Sequence, residues 1–258
     1  MTPGLTALVL AGTRPGGDPL ADYAGVSHKA LIEIGGVPML ARVLAALDAA
    51  PAVARMVVVI DRPEVMAALP KFSKPVTLMA AQSGPSASVA AALQQLGTPL
   101  LVTTADHAML RPEWISEFLQ SGSTGADAWL ALARREAVQV AAPHTQRTWL
   151  RFADGDYSGC NLFLLRNAAA LGVVQLWQQM EAARKRPLSL LRRLGLAYVI
   201  RYKLGRLSLA AALERLGILA GSRIAAVTLS DGRAAIDVDK PADLDLVRQI
   251  ISRGAAQG

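Results

Sequence analysis

The chain has 258 residues, of which 52% are hydrophobic and 18% are charged, and this composition excludes an intrinsically disordered protein. Its formal net charge of +7 favours anionic partners such as nucleotides, nucleic acid or anionic lipid. The single cysteine, Cys160, excludes an internal disulfide and a cysteine-built metal site, and the three histidines lack the spacing of zinc ligands.

The N-terminal segment MTPGLTALVLAG has a short apolar run without a preceding basic region. This pattern is typical of a first β-strand rather than of a signal peptide. No run of about 18 uncharged apolar residues occurs along the chain, so the sequence predicts no transmembrane helix. We therefore expect a cytoplasmic protein.

Short apolar runs alternate with helical patterns in the first half of the chain. Such runs favour buried strands, because a parallel sheet covered on both faces needs continuous apolar segments. The sequence predicts strands at Ala7–Leu10, Met56–Ile60 and Leu100–Thr103, and helices at Pro38–Ala49 and Ser86–Leu96. The alternation predicts an α/β fold with a doubly wound, mostly parallel sheet.

The pattern of the chain changes after about residue 125. The predicted strands there are Ala128–Ala133, Gln139–Ala142, Cys160–Leu165 and Ala225–Leu229, and the predicted helices are 168–182, 187–217 and Pro241–Ser252. Because no internal repeat or low-complexity linker divides the sequence, we predict a single domain over residues 1–258. Residues 125–220 are expected to form its substrate-side half.

A glycine-rich passage follows the first predicted strand. It begins with Leu10, Ala11 and Gly12, includes Arg14 and extends to Lys29. Glycines let backbone N–H groups approach phosphate oxygens, and a lysine beyond such a loop supplies a mobile positive charge. The alternative interpretation is an ordinary glycine-rich surface loop.

A second loop, which contains Gly84, leads into the helix predicted from Ser86. Ser88 lies near the start of that helix. A serine at this position can present its hydroxyl and neighbouring N–H groups to a ligand, or it can simply cap the helix.

Two aspartates have the positions expected of metal ligands. Asp106 comes directly after a predicted buried strand, at the edge of the sheet where α/β folds bind ligands. Asp239 ends the sequence Asp237-Val238-Asp239 before the closing helix. Aspartate is a hard oxygen ligand suited to Mg²⁺. Either side chain has helix capping as its alternative role.

Taken in order, these motifs resemble the nucleotidyltransferases with a glycosyltransferase-A-like fold, which include the molybdopterin-cofactor guanylyltransferases. The matched stretches span residues 8–244 and include Leu10-Ala11-Gly12, Gly36-Val37-Pro38-Met39-Leu40 and Ala235–Leu244. The resemblance implies that residues 1–124 bind a nucleoside triphosphate (NTP) and that 125–220 form the acceptor side.

The resemblance also implies roles for single residues. Leu10, Ala11, Gly12, Arg14 and Lys29 would hold the triphosphate. The Gly84 loop and Ser88 would contact the base, and Asp106 and Asp239 would hold Mg²⁺. Asn161 would face the acceptor substrate; the alternative role for this residue is that of a turn or strand-start residue.

The implied activity is Mg²⁺-dependent transfer of a nucleoside monophosphate (NMP) from an NTP to a phosphorylated small-molecule acceptor, with release of pyrophosphate. We expect no nucleic-acid partner. The alternatives are a glycosyltransferase that uses a nucleotide-sugar donor and a non-catalytic nucleotide-binding protein at the membrane surface. The nucleotide base and the acceptor are left open.

A basic helical segment is predicted over residues 184–209. It carries eight cationic side chains and no acidic one. The segment has three interpretations: surface helices with solvated arginines, a helix that lies on an anionic membrane surface, or a lid over an anionic substrate. Membrane contact would make the protein peripheral at the inner face of the membrane.

Overall fold

In a computed structural model of the protein, residues 4–13, 17–122, 125–143, 145–183 and 193–255 are described. The strands in these ranges are β1 (Leu5–Leu10), β2 (Glu33–Ile34), β3 (Val37–Pro38), β4 (Val53–Ile60), β5 (Val76–Ala80), β6 (Leu100–Thr104), β7 (Ala128–Arg134), β8 (Leu150–Phe152), β9 (Gly155–Leu165) and β10 (Ile224–Leu229). Eight of them form one sheet, in the order β10-β7-β9-β6-β1-β4-β5 with β8 paired to β9.

Strand direction is mostly parallel in this sheet. The β1–β4, β1–β6, β4–β5 and β7–β10 pairs are parallel, whereas β9 runs antiparallel to both β6 and β7. The short strands β2 and β3 form a separate hairpin.

Helices follow most of the strands. They are α1 (Pro19–Tyr23), α2 (Met39–Ala49), α3 (Pro85–Leu96), α4 (Pro112–Ser121), α5 (Arg135–Ala141), α6 (Leu171–Ala182), α7 (Leu196–Lys203), α8 (Leu209–Ala220) and α9 (Pro241–Ala255). Short 3₁₀ turns occur at Lys29–Leu31, Pro63–Ala68, Ala168–Ala170 and Gly232–Ala235. Within the described ranges, no helix is long and apolar enough to cross a membrane.

Helices cover both faces of the sheet, and successive strand residues point to opposite faces. In β1, Ala7 and Val9 pack into the larger core cluster, which includes residues of α2, α4 and α9. Leu8 between them packs into the second cluster, with residues of α3 and α6. The predicted α/β class with a mostly parallel, doubly covered sheet is confirmed.

The structure corrects two predictions of secondary structure. Gln139–Ala142 was expected to be a strand, but residues 135–141 form α5. This helix buries Val138 and leaves Val140 85% exposed. It packs closely on the turn at Gly232, where an added Cβ would lie 2.2 Å from the backbone of Ala137. That contact comes from a distant segment, so alternation of apolar and polar residues alone did not reveal it.

The helical region predicted over 187–217 is interrupted in the structure. Its described part consists of two helices, α7 and α8, and residues 184–192 lie outside the described ranges. Gly205 adopts a φ of +65°, a conformation that ends a helix readily. The Ser208 side chain then accepts a hydrogen bond from the Ala211 N–H and begins α8.

Candidate active site

The candidate site lies where the parallel strands β1, β4 and β6 reach their carboxyl ends. Backbone hydrogen bonds continue beyond the strands: the Ala11 N–H donates to the Val59 carbonyl at 2.8 Å, and the Ala105 N–H donates to the Leu10 carbonyl at 2.9 Å. Gly12 approaches the end of β5 so closely that an added Cβ would lie 3.0 Å from the Cβ of Ala81. The predicted nucleotide loop therefore starts at a rigid edge.

Lys29 brings together the two predicted metal ligands. Its Nζ donates to Asp106 Oδ2 at 2.9 Å and to Asp239 Oδ1 at 2.8 Å. The side chains of Lys29 and Asp106 are 18% and 20% exposed, whereas Asp239 is 53% exposed. Two segments that lie 77 and 210 residues from Lys29 thus converge on its ammonium group.

The two carboxylate segments are also held to each other. The Val238 N–H donates to the Asp106 carbonyl at 3.0 Å, and the Thr104 hydroxyl donates to Asp106 Oδ1 at 2.5 Å. Asp243, in the first turn of α9, accepts hydrogen bonds from the N–H groups of Asp239 and Lys240. Asp243 therefore ties the start of α9 back to the Asp239 segment, as the acidic residue of a capping box does.

Burial and neighbouring charges shift the pKa values of Lys29 and Asp106 in opposite directions. Burial alone would lower the pKa of Lys29, but the charges of Asp106 and Asp239 and their hydrogen bonds outweigh it and raise the pKa above its ordinary value. Burial raises the pKa of Asp106, against the opposing effects of Lys29 and Thr104. The cluster holds Lys29 firmly cationic.

A second network fixes the turn that carries Lys29. His28 is buried, and its Nδ1 accepts a hydrogen bond from the Ala30 N–H at 3.1 Å. Its Nε2 lies 3.4 Å from Asp61 Oδ1, and Asp61 also accepts from the N–H and the hydroxyl of Thr13. His28 and Asp61 therefore connect the Lys29 turn to the loop after β1.

A second charge cluster of the site is organised around Asp237. Its Oδ1 accepts from Arg147 Nη1 at 2.6 Å, and its Oδ2 accepts from Asn161 Nδ2 at 2.8 Å. Arg147 and Asp237 are 11% and 16% exposed, so this ion pair is largely screened from water. One carboxylate thus orients both a guanidinium and an amide beside Asp239.

Asn161 reaches Asp237 because of an irregularity in β9. The register between β7 and β9 shifts between Leu130 and Leu132, which pair with Phe163 and Gly159. Asn161 lies in this bulge with a φ of +47°, a conformation that asparagine tolerates better than most residues. The bulge redirects one side chain of an otherwise regular strand into the site.

The Gly84 loop is held from two sides. Ser88 is buried, and its hydroxyl accepts a hydrogen bond from the Gln82 N–H at 3.0 Å. The carboxylate of Glu181, near the end of α6, accepts from the Ser86 hydroxyl and lies against Gly84, where an added Cβ would be 2.7 Å from its Oε1. Ser88 therefore closes the loop before α3, and Glu181 contacts the helix start.

Most predicted site residues converge at the sheet edge, and several contributors were missed. Arg14 lies outside the described residues. Sequence reasoning did not single out Arg147, Asp61, Thr13, Thr104 or Glu181, nor His28 as a site residue. Asp61 is the first residue after β4 and Asp106 is the second after β6, so the same position at a strand end could have identified Asp61 as a candidate. Among the described residues, no group of three or more His, Cys, Asp or Glu side chains is arranged to hold a metal ion.

Residues 7–216 match the MobA-like NTP transferase domain. The chain belongs to this family. The resemblance predicted from the motifs is therefore confirmed, and so is the prediction of an enzyme. No protein with a curated description matches the chain significantly.

Solved structures agree with this assignment. A hypothetical transferase from Thermus thermophilus is 31% identical, with a TM-score of 0.80 over 93% of this chain and 99% of the other. A CMP:2-keto-3-deoxy-manno-octonic acid synthetase complexed with CTP has a TM-score of 0.61 and 17% identity, over 97% and 100% of the two chains. A 4-diphosphocytidyl-2C-methyl-D-erythritol synthase from Anaerococcus prevotii has a TM-score of 0.59 and 9% identity, over 97% and 96%. The last two show the glycosyltransferase-A-like fold.

Proposed function

We propose that this NTP transferase moves the NMP part of an NTP to a phosphorylated small molecule in the cytoplasm and releases pyrophosphate. One observation carries the proposal: Lys29 Nζ lies within 3 Å of carboxylate oxygens from both Asp106 and Asp239. This arrangement combines a mobile cation for phosphates with two oxygen ligands for a metal. Two proteins of similar fold have names that contain a cytidine nucleotide, which agrees with a nucleotide substrate.

Two carboxylates at one point suit Mg²⁺, which takes one or two carboxylates when substrate phosphates supply other ligands. Asp106 and Asp239 would hold it, and Lys29 Nζ marks where a cation is stable between them. When bound, Mg²⁺ would neutralise charge on the phosphates and polarise the α-phosphate.

Residues of the chain itself bind the phosphates and the base. Lys29 leaves the carboxylates for the triphosphate and offsets negative charge on the departing pyrophosphate. The Ala11 N–H and the Leu10 carbonyl are used in sheet hydrogen bonds, so of the three predicted loop residues Gly12 faces the phosphates, and Arg14 assists from the same loop. The Gly84 loop, closed by the Ser88 hydroxyl, receives the base.

Arg147 and Asn161 serve the acceptor. The Asp237 carboxylate fixes both side chains, so neither must lose much conformational freedom when the acceptor binds. An acceptor phosphate oxygen attacks the α-phosphorus; a new P–O bond forms, and the bond to the β-phosphate oxygen breaks. An ionised phosphate needs no strong general base, so catalysis consists of positioning and charge neutralisation.

The decisive experiment uses the purified chain, Mg²⁺, each of the four NTPs and a panel of phosphate monoesters. With α-³²P-labelled NTP, the label should move into a new product, whereas γ-³²P label should leave as pyrophosphate. Thermal shift with each NTP and Mg²⁺ first identifies the base, because ligands that bind the native state raise its stability.

Two outcomes would contradict the proposal. If no NTP raises the melting temperature in the presence of Mg²⁺, the nucleotide assignment fails. If the sugar of a nucleotide-sugar donor is transferred while no NTP is consumed, the chain is instead a glycosyltransferase.

A further inference from the structure

Helix α7 presents a row of apolar side chains to solvent. Leu196, Ile200 and Leu204, its C-cap residue, are 67%, 47% and 61% exposed. Residues four apart lie on one face of a helix, so the three side chains form a continuous strip. No residue of α7 is buried. Single exposed leucines are ordinary in proteins, but an aligned strip on a short helix requires an explanation.

The opposite face of α7 is attached to the protein body. Tyr202 packs edge-on against Phe152 with ring centroids 5.6 Å apart, and its hydroxyl accepts from the Arg151 N–H at 3.2 Å. The guanidinium carbon of Arg215 lies 5.3 Å from the centroid of the Tyr198 ring. Because the tyrosine face is held against β8 and α8, the apolar strip has a fixed outward orientation.

Cationic side chains border the strip. Arg201, Lys203 and Arg206 are all exposed. By the helical repeat of about 100° per residue, Arg201 and Lys203 fall on opposite flanks of the strip. No acidic residue occurs between Glu181 and Glu214 in the sequence. Asp154 lies beyond the attached face, where its carboxylate accepts from the Leu209 N–H at the start of α8.

We propose that α7 docks the protein on an anionic lipid bilayer, with Leu196, Ile200 and Leu204 among the acyl chains and the flanking cations at the headgroups. An apolar strip with a Lys- and Arg-rich border is the pattern of helices that lie in a membrane interface. A second copy of the chain is a poorer occupant, because pairing through this face would bring Arg201 and Lys203 close to their own copies.

This surface lies on the acceptor side of the site. Strand β9 runs from the hairpin beside Phe152 to Asn161, six residues, or about 20 Å at the usual rise per residue. On the proposed function, which this step alone assumes, docking would bring the acceptor side close to the membrane. Binding to lipid itself does not depend on any activity.

The test is flotation of the full chain with vesicles of phosphatidylcholine alone or of phosphatidylcholine with 30% phosphatidylglycerol. The protein should float with the anionic vesicles and not with the neutral ones. Raising salt from 0.1 to 1 M shortens the Debye length from about 10 to about 3 Å and should release it. Each Lys or Arg near such a surface contributes about fivefold to partitioning, so Arg201→Glu with Lys203→Glu should weaken binding at least about 25-fold.

Matched controls distinguish lipid binding through this face from nonspecific adsorption to the vesicles. Leu196→Ser with Ile200→Ser should weaken binding at least about tenfold. Val140→Ser, at an exposed apolar residue of α5, and Lys71→Glu with Arg253→Glu should leave binding within about twofold of the wild type, allowing for weak long-range effects of net charge. All the substituted side chains are exposed, so melting temperatures should hardly change.

Two results would overturn the proposal. One is equal flotation of the wild type and the Arg201→Glu, Lys203→Glu variant. The other is sedimentation equilibrium without lipid in which the wild type dimerises and Leu196→Ser with Ile200→Ser is monomeric, since a second copy would then cover the strip.

Discussion

The proposed nucleotide and acceptor sides of the candidate site use charge in opposite ways. On the nucleotide side, one cation, Lys29, lies between two carboxylates. On the acceptor side, one carboxylate, Asp237, lies between a guanidinium and an amide. The first cluster has an excess of negative charge that a metal ion can neutralise once Lys29 moves. The second is balanced and largely buried, which suits a fixed support. The comparison predicts strong electrostatic effects from the first and smaller positional effects from the second.

Asp106→Asn should give the largest effect. It removes one negative charge and nearly keeps the shape of the side chain. We expect kcat to fall at least about 1,000-fold, or about 4 kcal/mol of transition-state stabilisation, because metal binding and charge neutralisation are lost together. The fall in kcat is measured as product formation from α-labelled NTP at several Mg²⁺ concentrations. Asp245→Asn, at an exposed residue of α9, is the control. Turnover at the wild-type rate in Asp106→Asn would end the metal assignment.

Lys29→Ala should come next. The ammonium contacts phosphates both before and during the reaction in our proposal, so NTP affinity and kcat should both fall, with kcat lower by about 100-fold. Lys29→Arg should recover only part of this loss, because a planar fork replaces a compact charge. Isothermal titration and steady-state kinetics give the two quantities. Lys71→Ala is the matched control at an exposed lysine.

Unchanged NTP affinity in Lys29→Ala would contradict the triphosphate role. Lys29 would then only stabilise the two carboxylates. In that case the free energy of unfolding should drop without a specific loss of nucleotide binding.

Asn161→Gly should have a smaller effect that is confined to the acceptor side. Glycine adopts the positive φ of residue 161 without strain, so the bulge is kept and only the amide is lost. We expect kcat/KM for the acceptor to fall about tenfold, as for other residues that orient a binding group, with NTP affinity unchanged. Asn161→Ala should lose additional stability because alanine is strained at this φ. An equal loss of NTP affinity would remove the distinction between the two sides.

The location of the proposed nucleotide side at the sheet edge could be predicted from sequence because some of its residues closely follow buried strands. Asp106 comes after β6 and Gly12 after β1, and parallel strands bring their carboxyl ends to one edge whatever the loops do. Lys29 and Asp239 were assigned by resemblance, since no local pattern links residues 210 positions apart. Their contacts with each other became apparent only from the structure.

The acceptor side depends on contacts that no local pattern encodes. Arg147 lies in a loop between α5 and β8, and its role depends on Asp237, 90 residues later. Asn161 depends on a bulge created by the register of β9 against β7. Residues 135–141 form a helix that packs closely on Gly232, although the alternation of apolar and polar residues in this segment favoured a strand. In each case tertiary packing decided between local alternatives that were nearly equal in sequence.

The smallest expected effect concerns His107, which follows Asp106 in the sequence and interacts electrostatically with Asp237 and Arg147. It is 1% exposed and stacks on Trp114 with ring centroids 6.0 Å apart. Burial lowers the pKa of His107 to about 4, and the charge of Arg147 adds to this, against the opposing effects of Asp237 and the Ala234 backbone. The folded protein therefore keeps the ring neutral at pH values where an unfolded chain, with a pKa near 6.5, would protonate it.

A lowered histidine pKa stabilises the fold fully above about pH 6.5, and this contribution is lost as the pH falls toward 4, because the unfolded chain binds the proton first. Between pH 7 and 6, His107 alone should lower the free energy of unfolding by about 0.7 kcal/mol. Urea denaturation of the wild type and of His107→Gln at both pH values isolates this part, since all other titrating groups are shared. The wild type should lose about 0.7 kcal/mol more than the variant. An equal pH dependence in the two proteins would mean that His107 takes up a proton in the folded state as readily as in the unfolded chain.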